Sequence, residues 1–166
     1  MLDIARLSRR YDVRRMREAD ADDILALCKQ NAQFYRYCAA EATRAQVLSD
    51  LRVAPPGKAL SDKYYVGFYE AGALVAVMDL IDGYPEPDVA FVGFFMVNRA
   101  LQGQGIGSGI VGEAFGYLRE AGFRAVRLAI DRDNPQSNHF WKKNGFEVLK
   151  SVDREGWTVL VAERAL

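Results

Sequence analysis

Several features that often reveal the class of a protein are scarce in this sequence of 166 residues. It contains two cysteines, Cys28 and Cys38, and a single histidine, His139. So few thiol and imidazole groups argue against a zinc site, and the spacing of the cysteines matches no redox motif. We therefore predict no bound metal and a reduced, cytoplasmic protein.

An excess of one charge and long apolar runs are also missing. The 22 basic and 22 acidic residues cancel, which argues against nucleic acid or an anionic membrane as the main partner. No apolar run approaches the roughly 20 residues of a membrane span, and the first residues do not resemble a secretory signal. Half of the residues are hydrophobic. One domain spanning residues 1–166 is therefore expected, with residues 1–11 as a tail or an arm.

The most informative stretch runs from residue 89 to residue 122. Its first part, Val89–Val97, is rich in β-branched and aromatic side chains and predicts a buried strand. From Gly105 onward, apolar residues recur at every fourth position and predict a helix that Gly122 closes. A strand that leads through a glycine-rich turn into a helix forms an anion site, because the first N–H groups of the helix have no partner within it.

The glycines of this stretch have two explanations. A glycine inside a helix costs about 0.8–1 kcal/mol relative to alanine, so it needs a reason. For Gly112 and Gly116 we expect that reason to be close packing of the helix against the sheet. Gly103, Gly105 and Gly107 lie in or near the turn, where the lack of a side chain would let phosphate oxygens approach the backbone.

Two kinds of phosphate site compete for the turn. Residues Gly107–Gly112 fit the glycine pattern of dinucleotide-binding proteins, with Asp131 about 20 residues further on. That pattern requires its glycines directly after the strand, whereas these follow about ten residues later. The competing pattern, Gln102-x-x-Gly105-x-Gly107, lies in the turn itself. It resembles the pyrophosphate loop of the GNAT superfamily of acyl-coenzyme A-dependent N-acyltransferases.

A second block of sequence supports this resemblance. The segments Asn134–Ser137 and Phe140–Phe146 are similar to the family signature Asn-x-x-Ala…Phe-Tyr-x-Lys-x-Gly-Phe. The resemblance implies the GNAT fold, an α/β domain with a mixed central sheet of about six to seven strands flanked by about four helices. The order of elements read along the chain, β-α-α-β-β-β-α-β-α-β-β, agrees with that fold.

The resemblance also implies acetyl-coenzyme A as the cofactor. In the family the turn holds the pyrophosphate, while the asparagine and the end of the central strand hold the pantetheine arm. The cofactor-binding residues implied here are Met96, Val97, Gln102, Gly103, Gln104, Gly105, Ile106, Gly107, Ser108, Asn134, Ser137 and Trp141. Trp141 stands where the family often has a tyrosine that protonates the leaving thiolate. An indole cannot do this, so the catalytic acid stays open.

The acceptor side is less clear from the sequence. An ammonium group must lose a proton before it can attack, which calls for a carboxylate base. The candidate bases are Asp79, Asp82 and Glu86. Asp79 interrupts an apolar run, where a charge is costly unless it is paired, so it could instead be the buried partner of an arginine. Aromatic candidates for contact with the acceptor are Tyr35, Tyr37 and Tyr84.

These observations predict an N-acetyltransferase that moves an acetyl group from acetyl-coenzyme A to a primary amine. Neither cysteine lies in a nucleophile motif, so we expect direct attack in a ternary complex. The acidic residues near the predicted cleft favour a small cationic metabolite as the acceptor. The expected assembly is a monomer or a homodimer. Two alternatives stay open: a non-catalytic acyl-coenzyme A sensor, because of Trp141, and a dinucleotide-binding module, because of Gly107–Gly112.

Overall fold

Seven strands and four α-helices follow one another in the order that the sequence predicts. A computed structural model describes residues 1–166. The strands are β1 (Asp12–Arg15), β2 (Lys63–Glu70), β3 (Ala73–Ile81), β4 (Val89–Val97), β5 (Ala125–Asp131), β6 (Glu147–Arg154) and β7 (Trp157–Ala165). The helices are α1 (Ala21–Gln30), α2 (Arg44–Arg52), α3 (Ile106–Glu120) and α4 (Pro135–Lys143).

All seven strands join one sheet in the order β1-β2-β3-β4-β5-β7-β6. The neighbours β4 and β5 are parallel and are connected by α3, whereas every other neighbouring pair is antiparallel. Parallel strands require such a crossover, since no tight turn can join them. The predicted α/β fold with a mixed sheet and four flanking helices is confirmed, as is the strand–helix–strand unit at its centre.

The parallel pair at the centre of the sheet is short. β4 and β5 pair only between Val89–Val92 and Ala125–Leu128. Beyond these residues the two strands separate, so that Gly93–Val97 and Ala129–Asp131 form the two sides of a gap. Backbone groups that face this gap have no partner strand, so those without another hydrogen-bond partner are free to bind a ligand.

A bulge in β4 lies where the gap begins. Asp79 of β3 pairs with Phe94 and Leu80 pairs with Val92, so Gly93 is an extra residue in β4. A Cβ atom on Gly93 would lie 2.7 Å from the Oδ2 atom of Asp79. Only glycine therefore fits at this bulge. The bulge bends β4 at the point where the gap between β4 and β5 begins.

The sheet covers a different core on each face, because successive residues of a strand point to opposite sides. The main core lies beneath α3 and α4 and includes Ile110, Leu118 and Leu128. The second core lies beneath α1 and α2 and includes Ile24 and Met96. The gap between β4 and β5 is consequently flanked by α3 and α4 on one face and by α1 with its following loop on the other.

The prediction that Gly112 and Gly116 pack closely against the sheet is wrong. A Cβ atom at either position would meet no atom within 4 Å, and Gly112 is exposed. The buried face of α3 is formed instead by Ile110, Ala114 and Leu118. Nothing in the packing of the chain requires glycine at 112 or 116.

Residues 1–11 lie against α3 and the first strands. The Leu7 side chain is fully buried in the main core. The backbone N–H of Leu2 donates to the Tyr64 hydroxyl at 2.9 Å, and that of Asp3 donates to the Tyr117 hydroxyl at 2.8 Å. The Ser8 hydroxyl donates to the carboxylate of Glu113 on α3 at 2.5 Å. These contacts fix the segment as an arm of the domain.

Candidate functional site

The gap between β4 and β5 opens into a cavity of about 370 Å³. Its walls are the separated ends of the two strands, the turn before α3, and α4. Of the cofactor-binding residues predicted from the sequence, nine line it: Met96, Val97, Gln102, Gly103, Gly105, Gly107, Ser108, Ser137 and Trp141. Gln104, Ile106 and Asn134 lie beside these residues but outside the lining.

The turn that leads into α3 has the geometry of an anion site. Gly103 and Gly105 adopt φ angles of +76° and +79°, a left-handed conformation that glycine adopts without strain. The helix begins at Ile106 beside the cavity. The N–H groups of its first turn have no partner within the helix. A Cβ atom on Gly107 would lie 3.1 Å from the ring of Phe140, so a side chain there would crowd α4. The positive end of the helix dipole favours a bound phosphate at this point.

Gln102 connects this turn to its surroundings. Its Nε2 atom donates to the Asn31 side-chain oxygen at 2.6 Å and to the Val97 carbonyl at 2.9 Å. The Asn31 amide donates to the same carbonyl at 3.3 Å, and the Gln136 amide donates to the Gln102 oxygen at 3.1 Å. Gln102 therefore positions the turn against α1, β4 and α4. Asn31 has no signal in the sequence that marks it for this network.

The edge of β4 offers backbone groups to the gap. The N–H of Asn98 donates to the Val75 carbonyl at 2.8 Å, so in the antiparallel ladder the backbone of Met96 also faces β3. Phe95 and Val97 then face the gap. The Val97 carbonyl is already bonded to Gln102 and Asn31, which leaves the Val97 N–H and both backbone groups of Phe95. The backbone groups of Phe95, and not those of Met96, therefore face the gap.

Helix α4 closes the cavity with an aromatic cluster, and Asn134 caps the start of this helix just outside the lining. Asn134 is 2% exposed, and its side-chain oxygen accepts from the N–H of Ser137 at 3.1 Å. Its amide nitrogen has no hydrogen-bond partner within the protein. The Trp141 ring lies 5.9 Å from Phe95 and 4.9 Å from Phe140, centroid to centroid. Trp141 therefore forms an apolar wall with no hydroxyl group.

Asp79 is a buried member of an ion pair. Its Oδ2 atom lies 2.5 Å from the Lys63 ammonium, and both residues are more than 90% buried. The other oxygen, Oδ1, has no partner. Burial raises the pKa of Asp79, and Lys63 acts against this rise. Of the two interpretations given to Asp79, the geometry agrees with the buried partner, although the partner is a lysine. The carboxylate does not line the cavity.

The other two candidate bases lie away from the cavity. Glu86 forms ion pairs with Arg124 and Arg127. Asp82 lies just beyond β3, at the end of the sheet opposite the turn before α3, and its N–H donates to the Asp62 carbonyl at 2.8 Å. Neither side chain lines the cavity, so neither is placed to accept a proton from a substrate there.

The predicted acceptor tyrosines do not line the cavity either. Tyr84 packs edge-on against Phe91, with ring centroids 5.4 Å apart. Tyr35 lies in the second core, where burial raises the pKa of its hydroxyl, and Tyr37 is half-buried. Their neighbour Phe34 does line the cavity.

Three ionisable side chains line the cavity: Asp131, His139 and Lys143. His139 and Lys143 are exposed and belong to α4, whereas Asp131 ends β5 and is half-buried. No cysteine or tyrosine lines it. The chain has no cluster of three or more His, Cys, Asp or Glu side chains arranged to hold a metal ion. None of its helices combines the length and apolar character of a membrane span.

Comparison with known sequences identifies the family to which this architecture corresponds. The sequence model of the acetyltransferase (GNAT) family matches residues 23–146. An uncharacterized N-acetyltransferase of Methanocaldococcus jannaschii is 30% identical over 81 residues, which are 49% of this chain and 35% of that protein. The chain therefore spans about a third of the length of that relative.

Solved structures share the fold along almost the whole chain. An acetyltransferase from Thermus thermophilus superposes with a TM-score of 0.74 at 21% identity, covering 93% of this chain and 96% of that one. The PaiA N-acetyltransferase from Thermoplasma acidophilum, solved in complex with coenzyme A, gives 0.67 at 17% identity, covering 93% and 98%. At such identities the likeness concerns the fold, and it agrees with the fold predicted from the sequence.

Proposed function

Because the chain belongs to the acetyltransferase (GNAT) family, we propose that it transfers an acetyl group from acetyl-coenzyme A to a primary amine. The observation that carries this proposal is the cavity in which an anion site and an unpaired strand edge meet. Coenzyme A combines a pyrophosphate with an extended arm that contains two amides. One cavity that offers helix N–H groups to the first and strand N–H and C=O groups to the second suits such a ligand.

The residues present fit the cofactor part by part. The turn from Gly103 to Ser108 would hold the pyrophosphate. Phe95 and Val97 would pair with the pantetheine arm, and the free amide of Asn134 would add a hydrogen bond to it. A backbone N–H aimed at the thioester oxygen would stabilise the negative charge that develops there during acyl transfer. The proposal draws support from the coenzyme A complex of the Thermoplasma acidophilum protein, which shares this fold.

We propose direct attack of the amine, without a covalent enzyme intermediate. Burial raises the pKa of the Cys28 thiol and of the Cys38 thiol, so both stay protonated and are weak nucleophiles. Neither of them lines the cavity. We expect a Cys28→Ala/Cys38→Ala variant to keep the kcat of the native protein. Loss of activity in this variant, or ping-pong kinetics in the native protein, would contradict direct attack.

The acceptor that we propose is a small cationic amine. The acidic residues that suggested this class from the sequence lie outside the cavity, so the proposal now depends on other groups. Asp131 supplies a negative charge at the cavity. The rings of Phe34 and Phe94 also line the cavity, and their centroids are 5.8 Å apart. Aromatic faces and a carboxylate both attract an ammonium group.

Calorimetry followed by an amine panel tests the function. Coenzyme A, acetyl-coenzyme A and NAD are titrated separately, and the panel covers polyamines, amino sugars and amino-acid derivatives. We expect both forms of coenzyme A to bind, NAD not to bind, and at least one amine to be acetylated. Binding of NAD alone would favour a dinucleotide-binding module.

A non-catalytic acyl-coenzyme A sensor is the second candidate. It is favoured by Trp141, which lines the cavity without a hydroxyl that could protonate a thiolate. The same panel distinguishes the two functions. Tight binding of acetyl-coenzyme A with no turnover of any amine would favour the sensor, whereas acetylation of any amine would reject it.

A further inference from the structure

One carboxylate of the cavity attracts the acceptor and is also placed to take part in the chemistry. Asp131 is the only acidic residue in the lining. It is the last residue of β5 and lies three positions beyond Leu128, where pairing with β4 ends. Counting the same distance along β4 from Val92 leads to Phe95, whose backbone groups face the gap. Asp131 therefore stands across the gap from the strand edge that would hold the thioester.

Asp131 approaches the gap from the face opposite the pyrophosphate turn. Leu128 and Ile130 of β5 point into the main core beneath α3 and α4. Because side chains alternate along a strand, Ala129 and Asp131 point to the other face, toward α1 and the loop after it. Cys38 lies in that loop, and its pKa agrees with this direction. The largest cause of its raised pKa is burial, and the second is the charge of Asp131. An acceptor that entered from this face would meet Asp131 before it reached the thioester.

The carboxylate of Asp131 is free to take a proton. Its backbone carbonyl accepts hydrogen bonds from the N–H of Asn134 at 3.0 Å and from the Asn138 amide at 3.2 Å, which hold the end of β5 in place. Its side-chain oxygens have no partner in the protein. Burial raises the pKa of its carboxyl, and no neighbouring charge or hydrogen bond opposes this rise. Asp79, in contrast, is held by Lys63.

We infer that Asp131 is the catalytic base, which removes a proton from the ammonium group of the acceptor directly or through one water molecule. The inference rests on the proposed acetyl transfer to a primary amine. The freed lone pair forms the bond between nitrogen and the thioester carbonyl carbon, and the carbon–sulfur bond breaks. Of the two protons that the ammonium loses, Asp131 takes one and passes it to solvent. The thiolate takes the other, so that the products are the amide and coenzyme A thiol.

The chain provides a matched control for this role. Asp133 lies two residues further on, in an exposed ion pair with Arg132, and it does not line the cavity. On the best amine of the panel, Asp131→Asn should lower kcat by roughly 10²- to 10⁴-fold, the usual contribution of a general base. The dissociation constant of acetyl-coenzyme A should stay within a factor of about two to three, because the cofactor residues are untouched. Asp133→Asn should match the native protein in both quantities.

Two further measurements separate a base from a structural residue. In the native protein kcat should rise with pH as Asp131 ionises, and this rise should disappear in Asp131→Asn and persist in Asp131→Glu. The loss in Asp131→Asn should also shrink for weakly basic amines, since a larger fraction of them is neutral and needs no base.

Three results would overturn the assignment of Asp131 as the base. A native kcat and pH profile in Asp131→Asn would overturn it and leave the proposed function standing. Loss of kcat in a folded Asp79→Asn variant, with Asp131→Asn unaffected, would move the role to Asp79. Failure of the native protein to acetylate any amine, despite binding acetyl-coenzyme A, would overturn the proposed function and this inference with it.

Discussion

At the scale of single residues, the ion pair between Lys63 and Asp79 should have a large effect on stability. Their side chains are 6% and 10% exposed, and the two charged atoms lie 2.5 Å apart. Both charges have left water, and each offsets the desolvation of the other. The same carboxylate lies against Gly93 and so supports the bulge where the gap opens.

Removing one partner should therefore cost more than removing both. Lys63→Met should lower the free energy of unfolding by about 3–5 kcal/mol at pH 7, because a buried carboxylate loses its counter-ion. Lys63→Met/Asp79→Leu should recover most of this loss, since no buried charge remains. Urea denaturation measures both variants. Asp133 serves as a control, because its side chain is 72% exposed. Asp133→Asn should change the free energy of unfolding by no more than about 0.5 kcal/mol. Equal losses in the single and double variants would show that packing, and not charge, dominates at this site.

At the scale of elements, α3 and the turn before it contain glycines of two kinds. Gly105 has a φ angle of +79°, a left-handed conformation that costs other residues roughly 1–2 kcal/mol. Gly112 lies in the middle of the helix, and a Cβ atom there would meet nothing within 4 Å. The first glycine is required by the backbone of the turn, whereas the second is not required by packing.

Alanine should consequently have opposite effects at these two positions. Gly112→Ala should raise the free energy of unfolding by about 0.4–1 kcal/mol, because alanine has less conformational freedom to lose on folding. Gly105→Ala should lower it by about 1–2 kcal/mol and weaken coenzyme A binding, because the turn no longer aims the first helical N–H groups at the ligand. Thermal unfolding and calorimetry on the two variants check this. A destabilised Gly112→Ala variant would contradict the open space around that residue.

At the scale of the whole molecule, Asp131 should couple stability to pH. Burial raises the pKa of its carboxyl, so the folded protein keeps a proton at pH values where the unfolded chain has lost it. The stabilising contribution is complete below the usual aspartate pKa of about 3.9 and is lost as the pH rises through the raised pKa. At neutral pH the ionised carboxylate therefore lowers stability, as is common for groups held in place for function.

A neutral residue at this position should stabilise the fold while it removes activity. Asp131→Asn should have a higher Tm than the native protein at pH 7, and the difference should narrow toward pH 4, where the native carboxyl binds its proton. Scanning calorimetry at the two pH values measures the effect, with Asp133→Asn as the variant expected to show no difference at either. If Asp131→Asn shows the native Tm at both pH values, the prediction is wrong and the carboxylate of Asp131 is hydrated in the folded state.

The sequence by itself determined the features that depend on neighbouring residues. The apolar run Val89–Val97, the glycine turn and the four-residue period of α3 predict the strand, the turn and the helix where the structure has them. The order of elements read along the chain likewise has a helix where the structure has α4. These patterns follow from backbone conformation and from the burial of one face, which are properties of short segments. Together they were sufficient for the fold and the family.

Only the tertiary structure decided which charged groups meet. Lys63 pairs with Asp79 because β2 lies beside β3, and Glu86 is bound by Arg124 and Arg127 from a distant part of the chain. Asp131 lines the cavity because β5 separates from β4 after Leu128, and the alternation of side chains along β5 directs it toward α1. Strand order, register and the face on which a side chain emerges join residues far apart in sequence, and a shift of one residue would exchange the two faces. Which acidic residue lies at the cavity therefore depended on contacts that no local pattern of the sequence encodes.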